Sequence, residues 1–195
     1  ALDILKKWGL NVILGKNLFK EFNQFCGTDK ERASDFQNML NDSSIKAILC
    51  ARGGYGTVKI IDKINFEILK KNPKWIAGYS DITVLHSHLN RLGFASIHGT
   101  MPINFLNNTP GALTSLRNAL FFEGERWSFQ NDPMNIAGVS EGELVGGNLS
   151  ILYSLLGSKS DIKTNGKILF LEDLDEYIYH IDRMMMSLKR NGKYI

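Results

Sequence analysis

The chain has 195 residues, enough for one well-filled core or for one domain and part of a second. Its 44% hydrophobic and 22% charged residues are ordinary for a globular protein, and 23 basic against 20 acidic residues leave a net charge of +3. The charges are scattered, with no basic stripe interleaved with aromatics, and no apolar run approaches the ~20 residues of a membrane span. Neither nucleic acid nor a membrane is therefore an expected partner.

In chain order, residues 1–8 read as the end of a helix closed by Gly9. A short strand is predicted at 11–14. Starting inside a helix and without Met, the chain reads as cut at its N-terminus. Thr28 and Glu31 have the spacing of a capping box, and behind them Ala33, Phe36 and Leu40 share one helical face. Cys26 and Cys50 form no CxxC pair and are expected to be reduced, in or near a core, which points to the cytoplasm.

The compact apolar run 45–51 suits a buried parallel strand and ends at Arg52-Gly53-Gly54-Tyr55-Gly56. Helices are predicted from about Val58 and over 66–71, a strand over 75–79, a helix over 81–92 and a strand over 94–98. Thr109-Pro110 opens a helix to about Phe121. Residues 123–142 read as a polar passage between domains. A strand near Leu144, an apolar helix to Leu156, a buried strand over 167–171 and a helix over 177–190 complete the chain. Strands alternating with helices predict βαβ units and a mostly parallel sheet. The expected division is 1–108, 109–140 and 141–195.

Three stretches could carry chemistry. Gly78-Tyr79-Ser80-Asp81 falls where a strand turns into a helix, at the edge where open α/β sheets hold their sites. It is half of a G-x-S-x-G elbow, with Ile82 in place of the second glycine. A serine that merely N-caps its helix gives the same pattern, so the turn alone leaves both readings open. The glycine loop 52–56 follows a strand to the same edge and is either a close-approach loop for a ligand or a tight turn. Glu172 and Asp173 end a strand, where a carboxylate can orient a histidine or simply cap and pair. Asp175 and Glu176 are expected to open the last helix.

Of the four histidines, His86 and His88 point to different faces of a helix, and His180 reads as surface or interface. His98, ending a strand near the presumed site, is the one internal candidate for a base. No cluster has metal-ligand spacing, and no metal or cofactor is expected.

Together, Gly27-Thr28-Asp29-Lys30-Glu31-Arg32, the 52–56 loop, Gly78-Tyr79-Ser80-Asp81-Ile82-Thr83, His98-Gly99-Thr100-Met101, Gly146-Gly147-Asn148-Leu149, Leu169-Phe170-Leu171-Glu172-Asp173 and Tyr179-His180-Ile181-Asp182-Arg183 resemble the LD-carboxypeptidase family. That family includes muramoyltetrapeptide carboxypeptidases and microcin-C immunity peptidases. The order and spacing of these motifs are specific, although threonine replaces proline in the HGPM-like segment. The expected fold is α/β: a mostly parallel, flavodoxin-like three-layer N-terminal unit and the beginning of a second α/β domain.

The resemblance implies a Ser–Glu–His triad with Ser80 as nucleophile and Glu172 as orienting carboxylate. It also implies an oxyanion hole from the backbone N–H groups of Gly54 and Asp81. The family's histidine lies well downstream of Glu172, so none of the four histidines takes that role, and residues 1–195 alone are expected to be nearly inactive. Arg52, Tyr55 and His98 are candidate substrate contacts. The implied reaction releases the terminal D-alanine of a murein tetrapeptide in cell-wall recycling, by a protein expected to be a homodimer. Two alternatives stay open: an immunity peptidase cleaving a peptidyl-nucleotide amide, and a non-enzymatic α/β protein holding a small anion.

Overall fold

The computed structural model describes residues 1–124 and 126–194. Helix α1 is Leu2–Lys7, and helix α2, Asp29–Asn41, begins with the anticipated capping box. Thr28 Oγ1 accepts from the Glu31 N–H at 3.3 Å, and the Glu31 carboxylate accepts from the Thr28 N–H at 2.9 Å. These two bonds satisfy donors that a helix start leaves free. Strand β1 (Ala47–Leu49), strand β2 (Trp75–Gly78), helix α3 (Thr83–Arg91) and strand β3 (Ile97–His98) follow. The strands form one parallel sheet in the order β1-β2-β3.

Successive residues of a strand point to opposite faces, and two cores result. Ile48 and Ile76 face α2 and α3 with Leu40, Val84, Leu85 and Leu89. Leu49, Ala77 and Ile97 face α1 and helix α4 (Pro110–Leu120), packing with Leu5, Phe105 and Leu116. Helices on both faces make three layers. Thr109 caps α4 by accepting from the Ala112 N–H at 3.2 Å, with Pro110 at the first helical position.

A second parallel pair comprises strand β4 (Leu144–Asn148) and strand β5 (Ile168–Glu172), joined through helix α5 (Leu149–Ser154). Helix α6, Ile178–Arg190, buries Met184 and Leu188 against α5. Helix α3 ties the two sheets together. Thr83, fully buried, accepts at Oγ1 from the Asn148 N–H at 3.0 Å, and Gly147 has no Cβ to obstruct that approach. Farther along α3, His88 meets the Ser160 hydroxyl at 2.9 Å, and Arg91 donates to the Asp161 carbonyl at 3.0 Å.

Several expectations need correction. Residues 11–14 form no strand: Val12 packs beside α1, Ile13 and Leu14 are exposed, and their backbone joins no ladder among the described residues. The helices expected between 58 and 71 are three short 3₁₀ turns, Thr57–Lys59, Ile61–Lys63 and Glu67–Lys70. The buried Ile60, Ile61, Ile64, Phe66 and Leu69 do not keep the 3.6-residue period a longer helix needs. Strand β5 is only half buried, with Ile168 and Phe170 partly exposed. Cys26 is exposed, whereas Cys50 packs against the core; both are free thiols. Asp175 has a positive φ ahead of α6, and Glu176 pairs with His180, so neither residue lies in the first turn.

Candidate active site

Ser80 follows the carboxyl end of β2 at φ 63°, in the left-handed region. A residue with a Cβ pays roughly 1–3 kcal/mol there, so the neighbours must hold it. Ser80 does not cap the helix with its side chain: a 3₁₀ turn, Ser80–Ile82, leads into α3. Gly78 allows the tight bend, since a Cβ on it would lie within 2.9–3.1 Å of Ile82 side-chain atoms. Gly53 lies against the serine: a Cβ there would stand 3.1 Å from Ser80 Cβ and 3.2 Å from its Oγ. The glycine loop and the serine turn thus form one surface.

That surface is pinned from beneath. The buried Asp81 carboxylate accepts from the Thr57 N–H at 2.9 Å, docking the end of the loop on the elbow. Arg32 donates to the Gly56 carbonyl at 3.1 Å while paired to Asp29 at 2.6 Å. Gly54 has φ 114°, and the Arg52 guanidinium lies 3.9 Å from where its Cβ would be. Arg52 is exposed, and Tyr55 is exposed at the tip, with its ring 6.0 Å from that of Phe25. The Asp81 N–H belongs to the first turn after the elbow, where a helix supplies no internal acceptor.

Across the sheet boundary, Glu172 ends β5 beside Asn148 of β4. One of its oxygens, Oε1, is buried with no hydrogen-bond partner, and burial pushes the carboxyl above its ordinary pKa, opposed by the Asn148 side-chain amide and reinforced by the Asp173 charge. Asp173 is held by Asn148 Nδ2 at 3.1 Å and by the Ser150 N–H at 2.9 Å. His98 Nε2 stands 4.0 Å from Glu172 Oε1, close but outside hydrogen-bond reach. Its ring packs among Phe170, His86 and Tyr79 at 5.1, 5.8 and 6.3 Å between centroids, and burial lowers its pKa. A shallow pocket of about 460 Å³ opens beside Glu172, lined also by Leu149, Leu171, Asp173, Ile181 and Met185.

The structure therefore sets Ser80 against the 52–56 loop and brings His98 to 4.0 Å from Glu172. Reading the sequence missed three connections: the Asp81 side chain docking the loop, the Thr83–Asn148 link, and His86 bound behind the elbow. Only the last left a signal, a histidine within the apolar run of α3. No group of three His, Cys, Asp or Glu residues suited to a metal occurs among the described residues, and no described helix is long and apolar enough to cross a membrane.

These features define a parallel α/β protein whose polar groups gather at the carboxyl ends of its strands. Residues 1–99 match the LD-carboxypeptidase N-terminal domain and residues 141–194 the LD-carboxypeptidase C-terminal domain. The chain belongs to the LD-carboxypeptidase family. It is 41% identical to a probable murein peptide carboxypeptidase of Bacillus subtilis over 199 residues, covering 99% of this chain and 62% of that protein. It is 26% identical to the microcin C7 self-immunity protein MccF of Escherichia coli, covering 98% of this chain and 65% of that protein. The crystal structure of muramoyltetrapeptide carboxypeptidase from Oxalobacter formigenes superposes with a TM-score of 0.82 at 28% identity, over 98% of this chain and 66% of that one. The chain thus spans under two thirds of the length of these relatives.

Proposed function

We propose that the protein is a serine carboxypeptidase acting on murein-derived peptides, with Ser80 as nucleophile and Glu172 as the carboxylate that orients its histidine. The observation that carries this reading is the positive φ of Ser80 against Gly53, a strained turn that only its surroundings maintain. The partnerless Glu172 Oε1 supports the second role, because a buried carboxylate oxygen calls for a donor such as an imidazole N–H. The histidine that donates to it belongs to the family's C-terminal domain outside residues 1–195.

In this mechanism Ser80 Oγ attacks the carbonyl carbon of an L,D-peptide bond as the histidine takes its proton. The N–H groups of Gly54 and Asp81 stabilise the tetrahedral oxyanion. The C–N bond then breaks, the histidine returns the proton to the departing D-alanine amine, and water hydrolyses the acyl ester on Ser80. Arg52, which extends over Gly54, pairs with the substrate's terminal carboxylate. Tyr55 and His98 flank the peptide. The greater identity to the murein peptide carboxypeptidase than to MccF, 41% against 26%, favours a murein peptide over a peptidyl-nucleotide. The proposed setting is cytoplasmic recycling by a homodimer.

The test is intact mass after treating the intact protein with a fluorophosphonate, which phosphonylates an activated serine and releases fluoride. One adduct is expected, absent in Ser80→Ala. An adduct that survives in Ser80→Ala would remove Ser80 from the role.

A further inference from the structure

The mechanism leaves more than one buried titratable group unused, Lys74 and His86 among them. His86, on the second turn of α3, is 6% exposed and has both ring nitrogens engaged. Nε2 lies 2.8 Å from the Gly78 carbonyl oxygen, and Nδ1 lies 2.8 Å from Ser96 Oγ. A carbonyl can only accept, so Nε2 carries the proton, and Nδ1 accepts from the Ser96 hydroxyl. Burial, reinforced by the neighbouring His98, depresses the pKa of His86 to about 4, so the ring is neutral near neutrality.

The acceptor is the last carbonyl of β2, two residues before Ser80. It also receives the Gly99 N–H at 3.0 Å, the bond that continues the sheet into the segment after β3. His86 is therefore the side chain through which α3 reaches back over the elbow that begins it, while Ser96 anchors the far side of the ring ahead of β3. An apolar residue of the same size would fill the space but would leave the Gly78–Tyr79 peptide plane without its second hydrogen bond.

We infer that His86 is a positioning residue of the Ser80 turn: its Nε2–H fixes the Gly78 carbonyl and so holds Ser80 in its left-handed conformation against Gly53. This inference rests on the reading of Ser80 as the nucleophile, and its test separates the two. The fluorophosphonate reaction rate and the thermal midpoint are measured on the intact protein and on Ser80→Ala, His86→Gln and His86→Met. Glutamine can place an N–H near the position of Nε2, so His86→Gln is expected to react at close to the parent rate. His86→Met is expected to react roughly tenfold or more slowly at a temperature where it remains folded. A Met variant that reacts at the parent rate, or a Gln variant no better than Met, would overturn the inference. An adduct independent of Ser80 would instead sink the nucleophile assignment.

Nitrogen NMR of the His86 ring provides a readout that does not depend on reactivity or on the folding of the variants. The Nε2–H tautomer should persist between about pH 5 and 8. An Nδ1–H tautomer, or protonation within that range, would overturn the inference.

Discussion

The turn that carries Ser80 is held from several directions: Gly53 in front, the Asp81–Thr57 bond below and His86 behind. The end of β5 that carries Glu172 is built differently. Its carboxylate keeps a buried oxygen without a partner, its strand is half exposed, and the nearest imidazole stops 4.0 Å away. One region stores backbone strain in a closed network; the other stores an unmet hydrogen bond. Under the proposed roles this difference makes sense: a nucleophile must keep its geometry through every turnover, whereas an orienting carboxylate has only to present an oxygen to a histidine.

The largest expected effect that breaks this comparison comes from Glu172→Gln in the intact protein. With the charge gone but the shape kept, kcat should fall about 10³–10⁴-fold, as when an orienting carboxylate is neutralised in a serine triad. An unchanged kcat would return Glu172 to a structural role. The same substitution bears on stability. Because burial raises this carboxyl's pKa, the folded state holds its proton longer than the unfolded state. The side chain therefore destabilises progressively as pH rises from the ordinary glutamate range through its raised value. Urea titrations across pH should show that decline in the parent and a flatter profile in Glu172→Gln.

Next is Gly53→Ala, whose Cβ would crowd both Ser80 Cβ and Oγ. A displacement of the serine by even a fraction of an ångström should slow turnover by roughly 10- to 100-fold. The accompanying stability loss should be about 1–3 kcal/mol, the usual range for overpacking. Parent-like kcat would mean that the loop yields freely.

Thr83→Val removes the acceptor for the Asn148 N–H at the junction of the two sheets. Leaving that buried donor unsatisfied should cost about 1–3 kcal/mol in denaturant unfolding. A neutral substitution would show that the Thr83–Asn148 bond does not couple the sheets. The smallest effect is expected from Ser80→Gly compared with Ser80→Ala: glycine adopts φ 63° freely and should be the more stable by about 1 kcal/mol. Equal midpoints would show that the turn relaxes when the hydroxyl is lost.

Much of the first region was legible in the sequence. The strand before Ser80, the glycine loop and the capping box at Thr28 each have a local signature of turn residues and apolar runs. The second region was harder to read. Lys167–Leu171 looks like a fully buried strand because its composition is apolar, but Ile168 and Phe170 are partly exposed in the β4-β5 pair. Residues 11–14 show the same failing in a simpler form: an apolar run becomes a strand only if a neighbour accepts its hydrogen bonds.

By itself the sequence determined the parallel α/β class and the residue types at the strand ends, because periodicity and turn chemistry are properties of neighbouring residues, and the order of its motifs carried the resemblance to the family. Only the tertiary structure decided that Gly53 touches Ser80, that Asp81 docks the glycine loop, that Thr83 receives Asn148 and that His86 binds the Gly78 carbonyl. Those contacts join residues from different elements, several far apart in sequence, and depend on how helices settle on sheets. No local pattern in the chain encodes that packing.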